Sequence, residues 1–248
     1  MILKTNLHFH AANDEKAVRY DIYQGIDRAK KREFDVLAYT SHKKFGFRQE
    51  YADFAAKKEI LLIPGIEAEI ERKHVVILNC NKGAEELKTF KELADYKKKN
   101  PQIFILAPHP FVFSLKSLYS KLLENIDLFD AIELTVFSNK IFNFNKKATE
   151  VAIKYQKPLI ATSDTHFLKD LNRGYCLIDV EVPTLRPCVG GRDPDRNVGK
   201  KTMESIFTSL KKGNFENKLD NMGLFAMAEF QLKLRYYSIF QPSRLANI

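Results

Sequence analysis

The sequence is poor in cysteine and has no long apolar run. Its three cysteines, Cys80, Cys176 and Cys188, are odd in number and far apart, which excludes a disulfide framework and a zinc site of paired cysteines. We therefore expect reduced thiols in a cytoplasmic protein. No stretch approaches the ~18 consecutive apolar residues of a membrane-spanning helix. The first residues, MILKTNLHFH, also lack the basic start and apolar centre of a signal peptide.

Negative charge is in the minority. The 248 residues contain 40 Lys and Arg against 31 Asp and Glu, which gives a formal net charge of +9. Hydrophobic residues make up 45% and charged residues 29%, a composition that excludes a disordered chain. The length suits one large α/β barrel or two small domains. Many lysines lie in pairs at predicted helix ends, where they are solvated, but the surplus would also attract a phosphorylated or nucleic-acid substrate.

Short apolar runs alternate with amphipathic stretches along the chain. Each run predicts a buried strand, and the runs are ILKTNLHF, FDVLAYT, EILLIPGI, HVVILNC, QIFILAP, FDAIELTVF, PLIATS and GYCLIDVEV. Apolar residues at helical spacing predict helices over Glu15–Arg32, Phe47–Lys58, Ala84–Lys98, Asn143–Tyr155 and Lys200–Lys212. This alternation with short connections indicates parallel strands covered by helices, and the number of units predicts an α/β barrel.

The predicted barrel domain covers residues 1–213 and contains a loop insertion at about 183–201. The sequence of that insertion, PTLRPCVGGRDPDRNVGKK, is rich in Pro, Gly, Arg and Asp. Residues 214–248 predict an irregular segment and then a helix, GLFAMAEFQLKLRYYSIF. Its aromatic and aliphatic residues predict docking on the barrel or contact with a second copy in a homodimer, rather than a membrane surface.

The histidines are concentrated at strand ends. Five of the six lie at or just past the C-terminal end of an apolar run, and these are His8, His10, His42, His109 and His166. The sixth, His74, opens the HVVILN run. Active sites of parallel barrels lie at the face formed by the C-terminal ends of the strands. We therefore expect histidines spread over more than 150 positions to share one site.

Carboxylates accompany these histidines in the same segments, namely Asp14, Glu67, Glu69 and Asp164. Asp164 lies two residues before His166, and in extended backbone this spacing points both side chains to one side. Imidazole and carboxylate donors without paired cysteines suit Zn, Mn or Fe(II). The candidates are too many for one tetrahedral ion, so clustered ions bridged by a carboxylate are predicted, with hydrolysis at phosphorus or carbonyl carbon.

The order of these motifs resembles the PHP (polymerase and histidinol phosphatase) family. The motifs are HxH at the first strand, T-x-H after the second, PGIE after the third, a strand-opening His, then APHP and a late SDxH. The resemblance covers roughly residues 3–180 and is highly specific as an ordered set. It implies a distorted (β/α)7 barrel with its site at the C-terminal ends of the strands. It also implies a trinuclear centre of Mn, Zn or Fe and phosphoester hydrolysis.

The resemblance further implies how the ligands divide among three ions. Each group combines imidazoles with a carboxylate, and the groups are His8, His10, Glu67 and Asp164; Glu67, His74 and His109; and Asp14, His42 and His166, with Glu67 bridging the first two. Ser41 stands where many relatives have Asp, which would tune the centre rather than change the number of ions. The spacing to Asp14 is one residue shorter than usual, so Asn13 and Glu15 stay open as alternatives.

The residues predicted to act in catalysis are Glu67, Asp164 and His166. A hydroxide bound between the ions would attack phosphorus in line, and the ions would neutralise the non-bridging oxygens. His166 or a metal-bound water would donate the proton to the leaving group.

Basic residues after the ligand motifs are candidates for substrate binding. Lys43 and Arg173 would bind phosphate oxygens or would simply be charges at the barrel rim, and Arg48 adds to the cationic balance. Glu133, in the run DAIELTVF, would orient a ligand or form a buried salt bridge.

Three functions fit these features. The first is a phosphatase or phosphodiesterase acting on a small phosphorylated metabolite or nucleotide. The second is a nuclease or oligonucleotide phosphatase that grips single-stranded nucleic acid through the basic loop Arg186–Lys201. The third is a catalytically idle, metal-stabilised interaction domain. Amidohydrolases are the chemical rival, but they typically lack the PGIE and APHP pair and often use a Lys ligand.

Overall fold

The computed structural model describes residues 1–12, 18–181 and 196–240. The predictions for Asp14, Asn13 and Glu15 therefore lie outside the described residues, as does the predicted loop up to residue 195. Within the described ranges, every run predicted to be a strand forms one. The strands are β1 (Ile2–Phe9), β2 (Val36–His42), β3 (Leu61–Ile70), β4 (Lys73–Leu78), β5 (Phe104–Ala107), β6 (Ala131–Leu134), β7 (Leu159–Ala161) and β8 (Gly174–Asp179).

A further strand, β9 (Phe215–Leu219), lies in the segment predicted to be irregular. Its sequence, FENKL, carries too few apolar residues to predict a buried strand. It pairs antiparallel with β8, so cross-strand hydrogen bonds, rather than burial of apolar side chains, hold it in the sheet.

Seven α-helices lie in the described residues. They are α1 (Ile22–Lys31), α2 (Gln49–Lys57), α3 (Phe90–Lys99), α4 (Ser120–Glu124), α5 (Phe144–Tyr155), α6 (Arg196–Lys212) and α7 (Leu224–Phe240), with short 3-10 turns at Lys82–Glu86, Ile126–Leu128 and Leu168–Asp170. Caps set the helix starts. The Asp21 side chain accepts from Gln24 N–H, and the Thr89 side chain does the same for Glu92, so α1 and α3 begin later than their apolar patterns predicted. Conversely, α6 begins inside the predicted loop.

The strands form one sheet in the order β7-β6-β5-β4-β3-β2-β1-β8-β9. The expectation of parallel strands holds for β1–β2, β2–β3, β5–β6 and β6–β7, but β4 and β8 run antiparallel to both neighbours. A two-residue turn joins β3 to β4, and both of its residues, Glu71 and Arg72, have positive φ (47° and 68°). A connection this short permits only a hairpin, because a parallel pair needs a long crossover.

The sheet curls into a nearly closed barrel. Beyond β7, Thr165 pairs in parallel with Phe9 of β1. Asn217 of β9 accepts from Ala161 N–H at 2.8 Å and donates to the Leu159 carbonyl at 2.9 Å. Gly174 lies at this seam, where a Cβ would sit 2.1 Å from the Thr162 carbonyl oxygen. The α/β distorted barrel is thus confirmed, with antiparallel strands as the distortion.

The barrel interior is apolar at the end where the parallel strands begin. Leu3, Val36, Ile63 and Leu78 belong to this inner core, and α6 closes it with Ile206, Phe207 and Leu210. The rings of Phe104 and Phe207 stack with centroids 5.0 Å apart. Separate apolar layers pack the helices on the outside of the sheet. Apolar side chains fill the interior at this end, so the polar side chains lie at the other end, where the parallel strands finish.

The C-terminal helix α7 packs beside the barrel mouth. Phe230 is buried against Phe137 and Phe167, and its ring meets the His166 ring edge-on at 5.8 Å. The opposite face leaves Phe225 and Leu232 exposed. No helix in the described ranges is long and apolar enough to cross a membrane. A homodimer contact through the C-terminal segment stays a prediction.

Candidate metal centre

The six histidines lie together at one end of the barrel interior. Ring centroids of neighbouring pairs are 4.3 to 6.0 Å apart, and the closest pair is His10 with His42. His8, His10, His109 and His166 are buried, whereas His42 and His74 are partly exposed at the mouth. The convergence expected from the strand-end positions is therefore present.

A β-bulge aims the first HxH motif into the barrel. The pairing of β1 with β2 shifts register between Asn6 and Phe9, so Leu7 and His8 together oppose a single residue of β2. Leu7 belongs to the inner core, while Phe9 packs outside the sheet. The extra residue places His8 and His10 on the same inner face as Leu7, which strict alternation would forbid.

His74 reaches the same face although it opens its strand. Because β4 is antiparallel to β3, its first residues lie beside the last residues of β3, and His74 is the cross-strand partner of Glu69. Likewise, His42 ends β2 directly opposite Glu67 of β3. Strand direction, rather than position along the strand, decides which end of the barrel a side chain occupies.

Glu67 is the centre of the cluster and is fully buried. Its carboxylate oxygens face five imidazole nitrogens: His42 Nε2 at 2.7 Å, His74 Nδ1 at 2.9 Å, His109 Nε2 at 3.1 Å, His8 Nε2 at 3.5 Å and His10 Nε2 at 3.6 Å. A carboxylate placed among so many imidazoles has the position that a bridging ligand requires.

Asp164 is the second carboxylate of the cluster. Its Oδ1 lies 3.0 Å from His10 Nε2, 3.5 Å from His8 Nε2 and 3.4 Å from His166 Nδ1. Its φ of 45° is left-handed, as are those of His109 (29°) and Lys43 (62°). Such backbone costs about 1–3 kcal/mol in a non-glycine residue and is concentrated at functional sites.

Glu133 supports the cluster from β6. Its Oε2 lies 3.0 Å from His8 Nδ1, and both side chains have no solvent exposure. This contact directs the Nδ1–H of His8 to Glu133 and leaves Nε2 facing Glu67 and Asp164. The contact fits both roles predicted for Glu133, because a buried ion pair with His8 also orients the ring of a candidate ligand.

The donor set fits divalent cations. Three overlapping groups each bring donor atoms within 4.8 Å of one another, and they are His8, His10 and Asp164; His10, His42 and His166; and His42, Glu67 and His74. His8 Nε2, His74 Nδ1 and Glu67 Oε2 are buried, and their close contacts within the cluster, such as His74 Nδ1 to Glu67 Oε1 at 2.9 Å and His42 Nε2 to Glu67 Oε2 at 2.7 Å, lack the geometry of hydrogen bonds. Buried polar atoms without hydrogen bonds are costly, so these atoms are suited to coordinate ions.

These groups resemble the predicted division but differ in detail. Asp164 joins His8 and His10, and His42 joins His166, as the resemblance implied. His42 also approaches Glu67. His109 belongs to none of the three groups, although its Nε2 lies 3.1 Å from Glu67 Oε1. The assignment of ligands to individual ions stays a prediction.

Electrostatics within the cluster favour the ligand forms of the carboxylates. Burial opposes ionisation of Glu67, but His74, His42 and His8 outweigh it and hold the pKa of Glu67 well below its usual range. Asp164 has a similarly lowered pKa because His8 and His166 outweigh its burial. Burial dominates at His74, where it lowers the pKa and favours the neutral imidazole. At His8 and His109 the nearby carboxylates outweigh burial and raise the pKa, so a metal, which binds neutral imidazole, would have to displace a proton there.

The predicted substrate-binding residues lie in different surroundings. Lys43 directly follows His42 and pairs with Glu69 at 3.0 Å. Arg173 pairs with Asp170 at 2.8 Å and Asp220 at 2.7 Å, which occupies its guanidinium with two carboxylates. Its role toward a substrate stays a prediction.

Two further residues shape the mouth. The Ser41 hydroxyl donates to the Lys44 carbonyl at 2.6 Å and accepts from Gly46 N–H, so it folds the loop after His42. Lys116, which the sequence reasoning missed, bonds Glu69 at 2.6 Å. No motif marks Lys116, since it lies in an irregular segment and is one of many lysines.

Comparison with known proteins gives one family match and several fold matches. Residues 142–215 match the model of the PHP-associated family. No curated protein gives a significant match to the chain.

Three solved structures share the fold. A two-domain protein from Bacteroides vulgatus containing a predicted PHP-like metal-dependent phosphoesterase is 17% identical, with 94% of this chain and 70% of that chain covered and a TM-score of 0.62. PsfC from Pseudomonas syringae is 15% identical, with 94% and 98% covered and a TM-score of 0.65. An amidohydrolase from Chromobacterium violaceum, solved with bound sulfate and no metal, is 16% identical, with 73% and 92% covered and a TM-score of 0.52.

These low identities show a common fold rather than a common activity. The family match is independent of them, because it rests on the sequence of residues 142–215. Together, the family match and the shared fold confirm the resemblance of this chain to the PHP family.

Proposed function

We propose that the chain is a metal-dependent hydrolase of phosphate esters that holds up to three Mn, Zn or Fe ions. The observation that carries this proposal is the position of Glu67, a fully buried carboxylate facing five imidazoles at the open end of the barrel. The PHP-associated match and the fold shared with a predicted phosphoesterase support it. The eight predicted donors that lie in the described residues are brought together at one end of the barrel, which disfavours a catalytically idle domain.

Bound ions would supply positive charge for the phosphate oxygens and an activated water for attack on phosphorus. The chain's own residues perform the remaining tasks. Glu67 and Asp164 bind the ions, and Glu133 fixes the orientation of His8. The proton for the leaving group would come from His166, if its imidazole is not occupied as a ligand, or from a bound water. Phe230 covers one edge of that ring and excludes water there.

The test is to measure metal content and turnover on the same preparations. Protein purified without added metal would be assayed with Mn, Zn or Fe on phosphomonoesters, phosphodiesters, dipeptides and lactones. We expect turnover of phosphate esters and none after chelation and dialysis. Turnover confined to dipeptides or lactones would instead assign the activity of an amidohydrolase. Metal binding without turnover of any substrate would favour the interaction domain.

A nucleotide or an oligonucleotide end is a second candidate substrate, and one observation favours it. Phe113, Phe142 and Phe144 form an aromatic cluster on the segment after β5, the loop after β6 and the start of α5, with ring centroids 4.9 to 6.2 Å apart. Phe113 is 77% exposed and Phe142 is 42% exposed. Exposed rings can stack bases, which is worth about 1–3 kcal/mol per base.

Single-stranded oligonucleotides would test this candidate. We expect Phe113→Ala to weaken their binding and binding to fall steeply with salt. The exposed Ile153→Ala, on α5, is the control for loss of an apolar side chain. Equal binding by both variants would reject the stacking surface, and cleavage within long strands would favour a nuclease over a phosphatase.

A further inference from the structure

Two lysines from different loops meet above the metal centre. Lys43 Nζ lies 3.0 Å and Lys116 Nζ 2.6 Å from the same oxygen, Oε2 of Glu69. Glu69 lies two residues beyond Glu67 on β3, so both side chains face the barrel interior. At the rise of an extended strand, Glu69 is ~7 Å farther toward solvent.

Both lysines are attached to the centre through the backbone. Lys43 directly follows His42, and its N–H donates to the Glu67 carbonyl at 2.9 Å. The Lys116 carbonyl accepts from His74 N–H at 2.8 Å. The backbone bonds fix where each lysine begins, and the shared contact with Glu69 brings the two ammonium groups together before any substrate arrives.

The local charge is positive. One carboxylate, that of Glu69, faces the two ammonium groups of Lys43 and Lys116 at 3.0 and 2.6 Å, so the three side chains together carry more positive than negative charge. Each ammonium group has three donors, so its bond to Glu69 leaves donors for a ligand. The Lys43 side chain is 62% exposed and the Lys116 side chain 36% exposed, which makes both accessible from the mouth.

We propose that Lys43 and Lys116 form a subsite for a second anionic group of the substrate, such as another phosphate. This inference rests on the proposed function, in which the hydrolysed ester lies at the metal centre beside Glu67. The subsite lies at Glu69, two residues after Glu67 on β3 and nearer to solvent, so the second group is carried by the part of the substrate that points outward. Substrates with two anionic groups about 7 Å apart are the preferred class.

Alkane bisphosphonates of increasing length measure this distance without being hydrolysed. Their binding to metal-loaded protein would be compared by calorimetry with that of methylphosphonate, which has one anionic group. We expect affinity to rise with the linker, to reach a maximum when the second group spans about 7 Å, and to exceed that of methylphosphonate about tenfold or more. The advantage falls as salt is added, since both lysines are partly exposed.

Matched variants assign the effect to the lysines. Lys116→Met and Lys43→Met should each lose most of the bisphosphonate advantage, while Lys116→Arg retains it. The control is Lys121→Met, because Lys121 pairs with Glu71 and Glu124 on the same side of the barrel. It should bind every bisphosphonate as the unaltered protein does. Metal content and melting temperature confirm that each variant is folded.

The outcome separates this inference from the proposed function. If bisphosphonates of every length bind no more tightly than methylphosphonate, the subsite is rejected, whether or not the protein hydrolyses esters. An advantage that survives in both Met variants rejects the two lysines. A lysine-dependent advantage in a protein that turns over no phosphate ester supports the subsite and rejects the proposed function.

Discussion

Removal of the buried charge of Glu133 tests how the metal centre is held. Glu133 contacts no ion in the proposed arrangement and acts through His8, whose Nδ1 it meets at 3.0 Å. Glu133→Gln keeps the shape and an amide oxygen that still accepts from Nδ1–H, but it removes the negative charge. Glu133→Ala removes both the charge and the acceptor.

The structure sets the expected magnitudes. Mutation of a carboxylate that orients a ligand imidazole typically weakens metal binding by about 10- to 100-fold, or about 1.4–2.8 kcal/mol. The Gln variant retains the orientation of His8 and should lie near the tenfold end. The Ala variant leaves a fully buried imidazole donor without its acceptor, so it should approach the hundredfold end. Both variants should lose activity when metal is limiting and recover part of it when metal is in excess.

The assay is competition with a chromophoric chelator, alongside turnover as a function of metal concentration. Glu92→Gln is the matched control, since Glu92 is exposed at the start of α3 and Gln can replace it in the capping box. Affinity within twofold of the unaltered protein for both Glu133 variants would refute the reasoning.

Three other changes have defined outcomes. Glu67→Gln should lose more than one ion per chain, measured by elemental analysis, because it removes a carboxylate shared by several donor groups. Full metal content with full activity would exclude Glu67 as a bridging ligand. Acidification below about pH 6 should release metal as the ligand imidazoles become protonated, so ion content after dialysis should fall with pH, whereas constant content would contradict imidazole ligation. Cys80 and Cys176 should resist thiol reagents at pH 8 until the protein is unfolded, since burial raises the pKa of each thiol to about 12. Label found on either cysteine by peptide mapping of rapidly labelled native protein would contradict this. The raised pKa of these thiols in the folded protein also predicts that the free energy of unfolding decreases as pH rises from about 9, where the thiols of the unfolded chain ionise, toward 12.

Much of the fold was predictable because its signals are local. Strands such as β2 and β5 are continuous apolar runs, and a buried strand needs no distant partner to be recognised. The site was predictable for a related reason. His42 and His109 follow strands, and the ends of parallel strands meet at one edge whatever the order of the strands. Helix starts were less predictable, since a capping side chain such as Asp21 decides them.

The sequence by itself determined the strands, the barrel class and the polar residues at its mouth, because periodicity and strand-end position are properties of neighbouring residues. Only the tertiary structure decided the direction of β4, which brings His74 beside Glu69, and the bulge that turns His8 inward. It also decided that Glu133 meets His8 across 125 positions and that Lys116 meets Glu69 across 47. Contacts at such separations depend on strand pairing and packing, and no local pattern of residues specifies them.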